Sequence, residues 1–241
     1  MRLKERTLFY RTPGRGVLAR SHSYYTRRRG GQKLRMDTTT TCDDNIHSLQ
    51  RAFSSDHGLT WSEPEQLKVK EPAPGGTRRW HVYPGFVDPQ TDRLLTMVME
   101  GVLPIDDPIE AFRWWTLRYR VSLDGGRTAV VDEPVRQEGH TAEQPFEGVL
   151  SGEVGMIIGD ITQTPIRARG GAILVPINLT VLGPDGCYAN PSGSICFLDA
   201  AVLIGRWRQD CRIRWELSDR VSNDPRRSSR GCLEPLSLIH I

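Results

Sequence analysis

Ser54-Ser55-Asp56-His57-Gly58-Leu59-Thr60-Trp61 has the form S-x-D-x-G-x-T-W and says most about the architecture of this chain. Such a string suits a tight turn between two antiparallel strands. The Asp carboxylate can accept backbone N–H groups across the turn, and Gly supplies a position with φ > 0. The Ser and Thr hydroxyls add side-chain bonds, and Trp61 packs back onto the sheet. Sixty-eight residues on, Ser122-Leu123-Asp124-Gly125-Gly126-Arg127-Thr128-Ala129 repeats S-x-D-x-G-x-T without the Trp. A strand-like run precedes each copy (45–53 and 114–121), and a polar stretch reaching Glu-Pro follows each (Glu63-Pro64, Glu133-Pro134). The residues set in these turns are Ser54, Asp56, Gly58, Thr60 and Trp61, then Ser122, Asp124, Gly126 and Thr128.

Further short alternating runs read as strands at 94–99, 118–121, 172–177, 200–204 and 213–217. Between them lie turn signals: Asp88-Pro89, Asp124-Gly125, Gly170-Gly171, Pro184-Asp185-Gly186 and Asn190-Pro191. A third unit is expected over 156–221, without a legible turn motif. No stretch carries a long helical period. Units of about 65 residues with roughly four strands each predict an all-β chain, a β-propeller of four-stranded antiparallel blades. Three to three-and-a-half blades are expected in this length.

The 241 residues are 38% hydrophobic and 25% charged, which excludes a disordered or collagenous chain. The longest apolar stretches, 171–177 and 200–205, fall far short of a bilayer span, so no membrane partner is expected. The charged amino terminus shows no signal-peptide core, which makes the cytoplasm the default expectation. Five Cys (Cys42, Cys187, Cys196, Cys211, Cys232) with no CxxC pair suggest buried free thiols. His22, His47, His57, His81 and His140 show no close ligand spacing, so neither a metal nor another cofactor is expected. Serine-hydrolase and phosphate-loop motifs are absent.

Residues 1–35 hold eleven Lys or Arg against one acidic residue, and Arg outnumbers Lys 28 to 4 overall. A coding bias with a solvated basic face explains this, as does a demand for bidentate binding of carboxylate or phosphate. Nucleic-acid contact is disfavoured, because Phe9, Tyr10, Tyr24 and Tyr25 form no RNA-binding pattern.

The two turns resemble the Asp-boxes of the sialidase (neuraminidase) superfamily, whose members are six-bladed propellers. Tyr10-Arg11-Thr12-Pro13 is similar to the aromatic-Arg-x-Pro motif near the start of sialidases. Cys42-Asp43-Asp44-Asn45 lies where that family carries its acid/base Asp. Arg230-Gly231-Cys232-Leu233-Glu234-Pro235 resembles the entry to a later blade. Thr12 replaces the usual Ile, and the second turn lacks its aromatic. The resemblance implies an exo-glycosidase that hydrolyses terminal sialic acid or a related acidic sugar from a glycan. Arg11 would clamp the sugar carboxylate with its planar fork. Asp44, preferred over Asp43, would protonate the leaving oxygen, and Glu234 would support a Tyr nucleophile beyond it. The alternative is a non-catalytic Asp-box propeller that binds glycans or proteins.

Outside these motifs, the run Arg78-Arg79-Trp80-His81-Val82-Tyr83 combines cations, aromatics and an imidazole. Arg79, Trp80 and His81 are candidates for a sugar-binding mouth, beside the simpler reading of core aromatics next to surface Arg. Arg167 opens an expected inner strand and would add positive charge to the centre. Residues 236–241 read as one frame of a sequencing adapter. A partial propeller over 1–235, inactive alone and followed by a non-native tail, is therefore expected.

Overall fold

A computed structural model describes residues 8, 10–41, 46–106, 115–151, 155–158, 164–193 and 196–232. Regular structure there is entirely β. Strands β1 (Leu18–Tyr25), β2 (Lys33–Thr40), β3 (Ile46–Ser54) and β4 (Glu65–Leu67) form a meander in chain order. The second sheet holds β5 (Lys70–Ala73), β6 (Gly76–Val82), β7 (Phe86–Val87), β8 (Leu94–Leu103), β9 (Trp115–Ser122) and β10 (Val131–Pro134). Its order is β10-β9-β8-β6-β5, and β7 also pairs with β8. In effect β6 and β7 are one inner strand, broken at Pro84-Gly85, along successive lengths of β8.

The third sheet repeats this plan. Strands β11 (Met156–Ile157) and β12 (Ile166–Arg167) pair with opposite ends of β13 (Ile173–Thr180), followed by β14 (Leu198–Trp207) and β15 (Ile213–Leu217). Neighbouring strands are antiparallel throughout. This is the third unit expected over 156–221.

Alternation explains how the sheets stack. In β9, Trp115, Leu117, Tyr119 and Val121 are buried, while Thr116, Arg118 and Arg120 between them are half-exposed. The buried row meets Ile173, Val175, Ile177, Leu203 and Trp215 of the third sheet in one core. A second core joins Leu34, Met36, Leu49 and Phe53 of the first sheet to Val69 and Val82 beside and within the second. The middle sheet is thus sandwiched by its neighbours in chain order. Three antiparallel meanders stacked face to face in sequence, four strands wide in the first and third and five in the second, are three blades of a partial β-propeller.

Each Ser–Asp–Gly–Thr turn joins the last two strands of its blade. In the first, Ser54 Oγ donates to Asp56 at 2.8 Å, and Asp56 accepts from Thr60 N at 2.9 Å and Thr60 Oγ1 at 2.6 Å. The corresponding distances around Asp124 are 2.7, 2.9 and 2.6 Å. Gly58 (φ 89°) and Gly126 (φ 92°) occupy the left-handed position, which explains the shared Gly. Trp61 lies across the first sheet, with the Arg35 guanidinium 5.0 Å from its ring centre. The matching β14–β15 connection is a shorter hairpin closed by Arg208 N to Arg212 O at 2.8 Å, with Cys211 at φ 66°. There is no room in it for the eight-residue motif.

Among the described cysteines, all free, Cys196 is buried and Cys211 and Cys232 half-buried. Cys187 departs from the expected burial because it sits in the exposed 183–188 turn.

Candidate functional site

The strand registers give the stack two ends. At one, Tyr25, Lys33 and Ser54 are aligned in the first blade, and Leu94 faces Ser122 in the second. That end carries the Ser–Asp–Gly–Thr turns. At the other, Leu18 faces Thr40 and Thr40 faces Ile46, so the end of β2 and the start of β3 lie beside the start of β1. Leu103 faces Thr77 and Gly101 faces Trp115 at the same end of the second blade.

Arg11 belongs to this second end. Thr12 Oγ1 donates to Val17 O at 2.6 Å, folding the segment into a turn immediately before β1. Arg11 itself is exposed. Its neighbour Tyr10 lies close to a buried pair on β2, in which Asp37 accepts from Arg35 Nε at 2.9 Å and from Ser21 Oγ at 2.6 Å. Burial, then the charge of Asp37, raises the Tyr10 phenol above its usual range. Asp43 and Asp44 lie outside the described residues, as does Glu234; Thr41 and Ile46 flank the first two.

Arg79, Trp80 and His81 sit on β6 near this end. Arg79 is 2% exposed, and its fork grips Asp106 while Nη1 donates to Ile46 O at 3.1 Å. It therefore ties the second blade to the residue following the 41–45 connection. Lys70 Nζ reaches the same Asp106 at 2.9 Å. The Arg79 hydrogen bond, with help from Lys70, holds the Asp106 carboxyl below its ordinary value, which suits an anchor rather than a proton donor. The His81 ring packs on Trp115 with centroids 4.8 Å apart, and its buried Nε2 has no partner among the described residues. Burial, and then the Arg79 charge, push this imidazole down to about 4, so it is neutral near pH 7. Trp80 is half-buried, facing Glu100 in register.

Beside them runs a ladder of opposite charges across the second blade. Glu100 pairs with Arg78 at 3.6 Å and with Arg118 at 3.3 Å, and Arg118 continues to Asp132 at 2.9 Å. Together with Thr116, Glu143 and Ser151, the first part of this ladder lines a cleft of about 330 Å³.

Arg167 is not brought to this end. It lies on β12 at the opposite end of the third blade, and Nη1 pairs with Asp88 and Nη2 donates to Gln90 Oε1. Its charge links two blades. Asp106 and Trp115 were not singled out in the sequence; Asp106 follows a strand in a polar turn, and only the fold brings it to Arg79. Among the described residues no three His, Cys, Asp or Glu side chains converge to hold a metal ion.

No family model and no curated protein matches the chain. Solved structures do. The chain superposes on the Hadza microbial sialidase Hz136 with a TM-score of 0.51 at 13% identity, covering 82% of this chain and 40% of that one. A looser likeness, TM-score 0.40 at 14% identity, is to the inulosucrase from Halalkalicoccus jeotgali bound to kestose, over 89% of this chain and 56% of that one. The chain thus spans less than two thirds of the length of either, and what it shares with the sialidase is the fold.

Proposed function

We propose that this chain is part of a sialidase-like exo-glycosidase whose partner is a glycan with a terminal acidic sugar. One observation carries the reading: the Arg11 segment, Thr40 and Ile46 on either side of Asp43 and Asp44 in the chain, and the Arg79–His81 stretch of β6 share the end of the stack opposite the two Ser–Asp–Gly–Thr turns. Active sites gather where connections are long and the scaffold beneath them is rigid. In this reading exposed Arg11 takes the sugar carboxylate, and Asp44 protonates the leaving oxygen. Arg79 is a positioning residue that steadies the chain next to Asp44 through Ile46 O. In this reading Glu234 supports a Tyr nucleophile.

The test is release of a fluorescent leaving group from an α-sialoside by the product of the complete reading frame. Arg11→Ala and Asp44→Asn are each expected to lower kcat/KM by roughly a hundredfold or more. An intact protein that binds sialosides without cleaving them would instead support a glycan-binding propeller. That second reading draws on the ladder across the second blade, where Arg78 and Arg118 are already paired with the protein's own acids.

A further inference from the structure

Apart from Arg11, the basic residues of 1–35 play no part in the reading above, and their densest run lies at the opposite end of the stack. Thr26 N bonds to Gln32 O at 3.0 Å, closing the β1–β2 hairpin around Arg27-Arg28-Arg29-Gly30-Gly31. This loop, with Tyr25 and His57, faces Val87 and Pro89 of the second blade across a cleft of about 320 Å³. His57 N bonds to Gly31 O at 2.9 Å, and Tyr25 Oη contacts His57 Nδ1 at 3.2 Å, so the loop and the first Ser–Asp–Gly–Thr turn are tied together. A Cβ on Gly31 would stand 2.8 Å from the His57 ring, and only Gly allows that closeness at φ 69°.

Charge in the cleft is lopsided. Arg27, Arg28 and Arg29 line it, and the Lys33 amine lies 5.1 Å from the centre of the half-exposed Tyr25 ring that forms another wall. The nearest carboxylates are few and engaged. Asp92 already takes Arg27 Nη1 at 3.4 Å and Arg28 N at 2.6 Å, and Asp56 is filled by Ser54 and Thr60. Arg28 spends Nη1 on Pro89 O, leaving Nε and Nη2, and exposed Arg29 bonds to nothing among the described residues. Idle guanidinium forks beside one another repel, and a tetrahedral oxyanion relieves that with several charge-assisted bonds. The other walls, Val87, Pro89 and the Tyr25 ring, suit a compact organic body. A nucleic-acid strand would need phosphate contacts and stacking platforms repeated along a track. Here the cations are concentrated on one hairpin, with a single exposed aromatic.

We propose that this inter-blade cleft binds one sulfate or phosphate ester group carried on a small ring such as a sugar, independently of any glycosidase site at the other end. The test is calorimetric titration of the protein with glucose 6-sulfate, glucose 6-phosphate, inorganic phosphate and a single-stranded oligonucleotide. The sugar esters are expected to bind more tightly than inorganic phosphate, and the tighter ester identifies the group. Arg29→Ala, which breaks no contact in the fold, is expected to weaken ester binding about tenfold, and Arg28→Ala/Arg29→Ala further. Arg214→Ala, an exposed arginine on β15, is the control and is expected to change nothing. Equal loss in the control, unaltered affinity in Arg28→Ala/Arg29→Ala, or binding confined to the oligonucleotide would each overturn the proposal.

Discussion

Replacing Asp88 tests how the second and third blades are held together. This side chain has no exposed surface. Its carboxylate receives the Arg167 guanidinium and the Trp207 indole N–H, both from the third blade, and Gln90 N at 2.8 Å from its own turn. Asp88→Ala would strand a guanidinium that is only 15% exposed and leave an indole donor unmet. Removing one member of a buried pair costs about 3–5 kcal/mol, and an orphaned neutral donor about 1–3 kcal/mol. These costs overlap, so the expected loss is about 4 kcal/mol, or roughly 8–16 °C in Tm for a chain of this size. Asp88→Asn keeps an acceptor for Trp207 and should lose about 2–3 kcal/mol. Replacing both charges together, as Asp88→Ala/Arg167→Met, should restore much of the loss, because an apolar pair stands in for a buried ion pair at little net cost. Urea denaturation followed by Trp fluorescence, with Cm compared at constant m, gives all four corners of the cycle. A loss below about 1 kcal/mol in Asp88→Ala, or single effects that simply add, would refute the clamp.

The two turn carboxylates predict an acid limb. Asp56 is pushed down to about 2, chiefly by the Thr60 hydroxyl, and the bonds from Thr128 and Ser122 carry Asp124 well below its ordinary value despite burial. Folded values below the unfolded one mean that this stability is complete above about pH 4 and is lost as the pH falls towards 2. Melts of Asp56→Asn/Asp124→Asn should therefore be flatter than wild type across that window. For His81 the folded value, about 4, lies below the unfolded one of roughly 6.5. Stability should thus erode as the pH falls from about 6.5 towards 4, and the His81 ring proton should titrate by NMR with a midpoint below about 5. A midpoint near 6.5 would mean that the ring is not enclosed against Trp115.

The strands legible in the sequence were those with one apolar face. Those expected at 94–99, 200–204 and 213–217 fall within β8, β14 and β15, and that at 172–177 overlaps β13 but for its first residue, because each lays an alternating or continuous apolar row against a neighbouring blade. Strands β1 and β2 carried no such signal. LARSHSYY and KLRMDTTT are polar to the eye, yet Arg35 and Asp37 of β2 are buried, because each supplies the other's counter-charge. Burial by mutual neutralisation leaves no hydrophobic period to find. The short strands β4, β5, β7 and β11 likewise carry too few residues to show a period of their own, whereas β12 falls where Arg167 was expected to open a strand. At the candidate site, nearness along the chain linked Arg79 with His81, while Asp106 and Trp115 come from later strands and turns. Arg167 was read as free positive charge because its neutraliser, Asp88, lies 79 residues away.

The structure also accounts for the preference for arginine over lysine. Arginines repeatedly cross from one blade to the next and use two kinds of acceptor at once. Arg51 holds Glu65 on its own blade while Nη1 donates to Gly126 O of the second. Arg79 holds Asp106 and donates back to Ile46 O of the first. Arg93 lies over the Trp207 ring and donates to Arg208 O, and Arg212 reaches Glu133 at 3.2 Å. A guanidinium fixes five donors in one plane, so it can neutralise a carboxylate, satisfy a buried carbonyl and stack on an indole with a single side chain. An ammonium offers a compact charge that must be solvated on all sides, and cannot serve a carboxylate and a carbonyl lying in different directions without giving up one of them. Blades that meet through backbone edges and carbonyl-rich turns present that mixed demand at every interface. It follows that Arg51→Lys and Arg79→Lys, though charge is conserved, should loosen the stack nearly as much as Arg→Met at the same positions, whereas Arg→Lys at exposed Arg214 should be silent.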